Sequence, residues 1–380
     1  MKIIKIVWFD WRQRVLKIGA IALVLASLSL SLSGAGWNRE PAQPMLLAVL
    51  AQGNAITDPT AILRYSLPID NKAVRELQSA IEDISNYLRG KRWGPIEKDV
   101  KQASKILSSK NSDLLASVPA DRQSKAEAAI AQIKESLEQL QEVVQAQDRD
   151  QVWSKRRQLL SQITDLEELM VQGFPFEVPS QYANLPQLKG RATVDVETTK
   201  GTLTLIIDGY SAPVNGGNFV DLVQRGFYDG LPFISLEDDF VLQTGDPPGA
   251  EVGFIDPKTK QYRAIPLEVL VKGDKEPNYG MTLEDAGIYL PELALPFNAY
   301  GAVALASPGN DPNGGSSQFF FFKFDNELTP PGFNLMDGRY SVFGYVVEGK
   351  EVLEKLNDKD KIISAKVVDG ADNLFQPRAN

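Results

Sequence analysis

Between Val74 and Met170 the apolar residues step by three and four; from Arg191 onward they step by two. The first pattern is that of amphipathic helices, the second that of half-buried strands. Val74, Leu77, Ile81, Ile84 and Leu88 form one stripe, opening after Asp70 as the expected N-cap. Ile96, Val100, Ala103 and Leu107 repeat it after Gly94-Pro95. Ile130, Ile133, Leu137, Leu140 and Val144 form the strongest stripe, and Leu159, Ile163, Leu166 and Met170 a fourth. Four such stripes joined by short connections close most simply into a four-helix bundle, predicted over residues 61–172. Residues 173–189, "GFPFEVPSQYANLPQLK", end the helical region with three prolines, which cannot sit in helix interiors. Their aromatic and leucine content predicts a linker that packs between the two parts of the chain and does not swing free.

"RATVDVETTKGTLTLIIDG" alternates around Lys200-Gly201 and predicts a β-hairpin. "NGGNFVDLVQRG" predicts a short amphipathic helix. "FVLQTG", "GAVALAS", "SSQFFFFKF", "YSVFGYVV" and "IISAKVV" read as strands and "EGKEVLEKLN" as a last short helix. Many short strands with two helices make a closed barrel capped at its ends, over residues 190–373, followed by a tail, 374–380. The fold class is multidomain α + β.

Composition narrows the chemistry sharply. The chain has no histidine and no cysteine. Histidine-based triads, bases and zinc sites are excluded, as are disulfides and thiolate nucleophiles. No cofactor and no metal is expected. The N-terminus carries Lys2, Lys5, Arg12, Arg14 and Lys17 ahead of an apolar, small-residue run, the layout of an export signal over residues 1–35. Cleavage is expected after Ser33-Gly34-Ala35 or as late as Val49-Leu50-Ala51, leaving a flexible lead to residue 60. Arg12 and Arg14 are separated, so the twin-arginine signature is missing. Loss of residues 1–35 removes five cations and one anion and takes the formal charge from −9 to −13. Such a chain is a poor nucleic-acid ligand, is repelled as a whole by anionic lipid and is peripheral to a membrane at most. Its expected partners are proteins.

"APVNGGNFVDLVQRGFYDGLPF", "FVLQTGD", "GAVALAS", "NGGSSQFFF" and "DGRYSVFGYVVEG" follow one another in the order and spacing of the cyclophilins. The resemblance covers about residues 190–373. With an acidic, exported helical bundle ahead of it, the chain resembles the multidomain cyclophilins of the thylakoid lumen, of the cyanobacterial type. The resemblance implies an eight-stranded barrel capped by two helices, a proline groove on its outer face, and peptidyl-prolyl cis–trans isomerase ancestry. That chemistry lowers a rotation barrier of about 18–20 kcal/mol by placing donors around a twisted amide.

Carried over position by position, the resemblance assigns the groove to Phe240, Val241, Gln243, Leu305, Ala306, Ser307, Gln318, Phe320, Leu335, Met336 and Tyr340. Leu335-Met336 stands where the family has Trp-Leu, and Tyr340 where it has a pocket histidine. The family reads Phe-His-Arg where this chain reads Phe233-Ile234-Ser235, so Ser235 occupies the catalytic arginine position. Serine offers one neutral donor on a short stem in place of a planar charged fork. Gln243 is the other catalytic position. Isomerase activity is therefore expected to be weak or absent, unless Arg339, Arg225 or Arg263 substitutes.

"SPGNDPNGGSSQF" lacks the lysine of a phosphate loop, and Glu237-Asp238-Asp239 lacks calcium-loop spacing. The connection between Asp246 and Gly301 is about twice the family's length and is expected to dock the bundle or a client. The implied setting is photosystem II assembly and maintenance: proline-containing segments of its subunits held in the groove, with the bundle docking or regulating. The alternative is a general folding catalyst with full isomerase activity.

Overall fold

The computed structural model describes residues 56–236, 240–250, 252–308, 311–323 and 334–377; the side chains of Ser235 and Leu236 are outside that set. The expected export signal and the acidic turn at 237–239 also lie outside the described residues. No helix among the described residues is long and apolar enough to cross a membrane.

Four long helices form the bundle: α2 (Lys72–Leu88), α3 (Trp93–Ser109), α5 (Gln123–Gln145) and α6 (Arg149–Met170), with the five-residue α4 (Asn111–Leu115) between the second and third. All the stripe residues read from the sequence are buried in one cluster. The cap of α2 is Asn71, not Asp70. Its Oδ1 accepts from the Val74 N–H at 3.0 Å while its Nδ2 donates to the Asp113 carbonyl at 2.8 Å. An amide can do both at once; a carboxylate cannot donate.

An earlier helix, α1 (Pro59–Ser66), starts on Asp58 as N-cap with Pro59 in the first turn. It does not join the bundle core. Ile62 and Leu63 pack instead on the barrel's outer apolar cluster with Phe297, Ala302, Phe320 and Tyr345.

The barrel is one antiparallel eight-stranded sheet. Its strands are β2 (Arg191–Thr198), β3 (Gly201–Asp208), β4 (Ile234–Leu236), β5 (Val241–Thr244), β8 (Ala302–Leu305), β9 (Phe319–Phe322), β10 (Val342–Glu348) and β11 (Ile362–Asp369), in the order β11-β2-β3-β10-β8-β9-β5-β4. The ends of the sheet meet where the Phe233 N–H donates to the Asp360 carbonyl and Ile362 to Leu231. The helix α7 (Pro213–Gln224) is not amphipathic as expected: residues 213–223 are all buried, because barrel strands, linker and long connection surround it. Gly217 shows why the linker is fixed. A Cβ there would lie 2.5 Å from the Pro186 carbonyl.

Leu185 and Leu188 of the linker enter the barrel core. The strand β1 (Gln187–Leu188) pairs with β12 (Leu374–Phe375), so the start of the expected tail is tied to the end of the linker. The long connection holds a hairpin of β6 (Glu268–Val269) and β7 (Asn278–Tyr279) and its own small core of Leu267, Val269, Leu283 and Leu293.

Candidate functional site

Alternation along three adjacent strands builds the groove wall. On β9, Phe319 and Phe321 face the barrel interior and Phe320 and Phe322 the outer cluster. On β5, Leu242 is interior and Val241 exterior. On β8, Ala302 and Ala304 are exterior, while Val303 and Leu305 are interior. Leu305 is therefore a barrel-core residue and is not part of the groove. It precedes Ala306, and on a strand neighbours point to opposite faces.

Gln243 and Gln318 are brought together. The Gln243 Nε2 donates to Gln318 Oε1 at 2.6 Å, and Gln318 Nε2 donates to Asp246 Oδ1 at 2.9 Å and to the Val252 carbonyl at 2.7 Å. The Ala306 N–H donates to the Gln318 carbonyl at 3.0 Å. A cavity of about 140 Å³ opens beside this chain of amides, lined by Gln243, Val252, Tyr262, Ala306, Ser307, Pro308, Ser316 and Gln318. Asp246, Val252 and Tyr262 were not legible as site residues. Val252 and Tyr262 come from the connection, whose path no local pattern specifies, and Asp246 stands at its start.

The apolar half is different. Phe320 is only 3% exposed. One face stacks on Phe297 with ring centroids 6.0 Å apart, and Tyr340 stands edge-on to it at 5.5 Å. Val241 is buried and Met336 half-buried in the same cluster, whereas Phe240 and Leu335 are exposed. A proline ring reaches Phe320 only if part of this apolar cover, to which Tyr340 contributes, moves aside.

The register sets Ile234 opposite Gln243 and Ser235 opposite Leu242. Two of the three candidate substitute arginines are held by a buried carboxylate and the third, Arg339, by an exposed one. Arg339 pairs with Glu284 at 2.8 Å; Arg225 and Arg263 both bind the buried carboxylate of Asp221, at 2.9 and 2.6 Å. Among the described residues no arginine side chain hydrogen-bonds to a groove residue; only the Arg339 backbone N–H does, to the Met336 carbonyl at 3.0 Å. An arginine already satisfied by a buried carboxylate has no reason to leave it.

Three buried carboxyls hold the surrounding architecture. Glu268 accepts from the N–H groups of Val214 and Asn215 at the start of α7, and burial pushes its carboxyl up to about 7. Asp337 accepts from the Phe297 N–H at 2.9 Å, and burial pushes it up to about 6. Glu167 on α6, paired with Arg75 at 3.1 Å, is pushed by burial up to about 7. Each folded-state value lies above the unfolded one. The folded chain therefore binds these protons more tightly, and the stability they contribute is lost as pH rises through 6 to 7. Denaturant unfolding of residues 50–380 is expected to show a fold more stable at about pH 5.5 than at pH 8, by an amount on the order of 1–3 kcal/mol. Glu268→Gln should reduce the difference, leaving the share of Glu167 and Asp337; a fold equally stable at both pH values would contradict the assignment.

The sequence comparisons agree with this architecture. The model of the peptidyl-prolyl cis-trans isomerase CYP38-like, PsbQ-like domain matches residues 58–171, and that of the cyclophilin type peptidyl-prolyl cis-trans isomerase matches residues 193–372. A thylakoid lumen peptidyl-prolyl cis-trans isomerase of Synechocystis is 65% identical over 374 residues, 98% of this chain and 99% of that one. CYP38 of Arabidopsis thaliana, a chloroplastic peptidyl-prolyl cis-trans isomerase, is 43% identical over 342 residues, 87% of this chain and 78% of that one. The crystal structure of a Cryptosporidium parvum cyclophilin type isomerase is 21% identical, with a TM-score of 0.34, over 47% of this chain and 98% of that one. A PsbQ-like helical domain followed by a cyclophilin barrel, matched along nearly the whole length of a lumenal relative, means that the chain belongs to the thylakoid-lumen family of cyclophilin-type peptidyl-prolyl isomerases.

Proposed function

We propose that this chain holds proline-containing segments of photosystem II subunits in the thylakoid lumen during assembly and maintenance, with little or no isomerase turnover. The observation that carries the reading is the uneven state of the groove. Its polar half keeps the Gln243–Gln318 pair beside an open cavity, while its proline-facing aromatic is buried and, among the described residues, no arginine side chain hydrogen-bonds to the groove. Amide groups and exposed strand-edge donors hold an extended peptide; rotating its X–Pro bond takes a charged donor as well. The bundle is the docking or regulatory part, joined to the barrel through α1 and through the Arg191 side chain, which donates to Glu168 Oε1 on α6 and to Ser66 Oγ on α1.

The test is a fluorescence-anisotropy titration of residues 50–380 against peptides that tile the lumenal loops of photosystem II subunits. At least one proline-containing peptide is expected to bind, and Gln318→Ala should weaken it at least about tenfold through the loss of a charge-assisted bond and the Gln243 contact. Tyr340→Ala is expected to strengthen binding of the same peptide severalfold by exposing Phe320. If no peptide binds, or if Gln318→Ala changes nothing, the reading fails.

A further inference from the structure

The chain is acidic overall, yet the hairpin of α2 and α3 carries a basic stretch that starts at its tip and runs along the exposed face of α3. Residues 86–105 hold six cations, Arg89, Lys91, Arg92, Lys98, Lys101 and Lys105, and two acids, Glu97 and Asp99. All six cations are exposed, and none makes an ion pair among the described residues. Lys98, Lys101 and Lys105 are spaced by three and four and share one face of α3. Arg89, Lys91 and Arg92 crown the turn from α2 to α3. That turn is rigid: the Arg92 N–H donates to the Tyr87 carbonyl and the Lys91 N–H to that of Leu88. Lys91 has φ 51°, a left-handed position that favours glycine, although Gly90 is adjacent. Tyr87, with the Arg92 guanidinium 5.2 Å from its ring centroid, and Trp93 are half-buried at the same turn. Of the two acids in the stretch, Asp99 is partly buried with its carboxyl pushed up by burial and by Asp83.

We infer that this helical-hairpin tip is a docking surface for an anionic lipid bilayer. A hairpin tip is convex, so its cations fan outward and suit a plane of headgroups better than a single extended segment, which a groove would hold. Aromatic side chains between the cations are the composition favoured at the headgroup level. The position fits as well. The ion pair with the barrel, Glu168 with Arg191, lies at the end of α6, beside Glu167 and its partner Arg75 in the first turn of α2. The basic tip follows the other end of α2, so it can touch a membrane while the barrel faces away. Net charge alone predicts repulsion; its segregation allows one orientation.

Residues 50–380 should be used, so that the basic, apolar leader contributes nothing. Co-sedimentation with vesicles of 40% phosphatidylglycerol in phosphatidylcholine is expected to capture the protein at low ionic strength. Binding should drop at least tenfold in 0.5 M NaCl, on pure phosphatidylcholine, and in the Arg89→Glu/Lys91→Glu/Arg92→Glu variant. Lys98→Glu/Lys101→Glu/Lys105→Glu should weaken it too; circular dichroism checks that both variants fold. Absence of binding to the anionic vesicles, or binding that survives both triple variants, would overturn the inference. So would capture by poly-glutamate, lost in the same variants, without capture by vesicles, which would make the tip a site for an acidic protein segment.

Discussion

Residues 50–380 are expected to isomerise a standard X–Pro peptide at least about a hundredfold more slowly than an ordinary cyclophilin, because loss of one well-placed donor costs about 2.7–4 kcal/mol of transition-state stabilisation. Two separate features limit the rate. Among the described residues no arginine side chain hydrogen-bonds to a groove residue: Arg225 and Arg263 are held by the buried Asp221, and Arg339 pairs with Glu284 at the surface. Phe320, which the family uses to seat the proline ring, is 3% exposed beneath the edge of Tyr340. Ser235→Arg alone should therefore raise the rate less than about tenfold. Ser235→Arg with Tyr340→His, which restores both family residues, should raise it by more than the product of the single changes, since the charge acts only on a seated ring. A rate for the unmodified chain within tenfold of an ordinary cyclophilin would reject the proposal of weak catalysis and favour the folding-catalyst alternative. Additive single effects would show that Tyr340 does not control the pocket.

Arg191→Met is expected to destabilise the chain by about 3–5 kcal/mol, the usual cost of removing one partner of a buried ion pair. Arg191 opens the first barrel strand and its side chain is 10% exposed. It donates to Asp208 Oδ1 at 3.1 Å, to Glu168 Oε1 on α6 at 3.2 Å, to Ser66 Oγ on α1 at 3.1 Å, and to the Leu63 carbonyl. One guanidinium thus ties both helical elements to the barrel, and its removal strands the fully buried Asp208 carboxylate. Ser66 Oγ still reaches Asp208 Oδ2 at 2.8 Å, a neutral donor in place of a charged one. Arg191→Met/Asp208→Asn should recover part of the loss. Small-angle scattering should show the single variant more extended. A cost under about 1 kcal/mol with an unchanged scattering profile would mean that apolar packing of Ile62 and Leu63 holds the two parts together by itself.

Periodicity alone makes the bundle readable. A helix stripe such as Ile130 to Val144 has one way to leave water, and each stripe residue is buried where the spacing places it. The alternation in "ATVDV" and "TLTLII" is equally plain, because the period of a strand is set by its own backbone. Local chemistry near a terminus is less certain: Asn71 displaces Asp70 as cap because a distant carbonyl, that of Asp113, needs a donor.

The identity of the groove is legible as ordered blocks, and so is the loss of its arginine at Ser235. What the chain by itself determined is which elements form and which donor is absent. Tertiary structure alone decided the rest: that Leu305 turns inward while Ala304 and Ala306 do not, that Asp246 joins the Gln243–Gln318 pair, that Tyr340 closes over Phe320, and that Arg191 reaches four groups from three elements. The physical reason is range. Helix and strand patterns follow from bonds and contacts within a few residues. A buried carboxylate, a ring edge or a shared guanidinium depends on partners brought together across more than a hundred residues of chain, 128 for Arg191 and Leu63 and 142 for Ser66 and Asp208, and no local period records them.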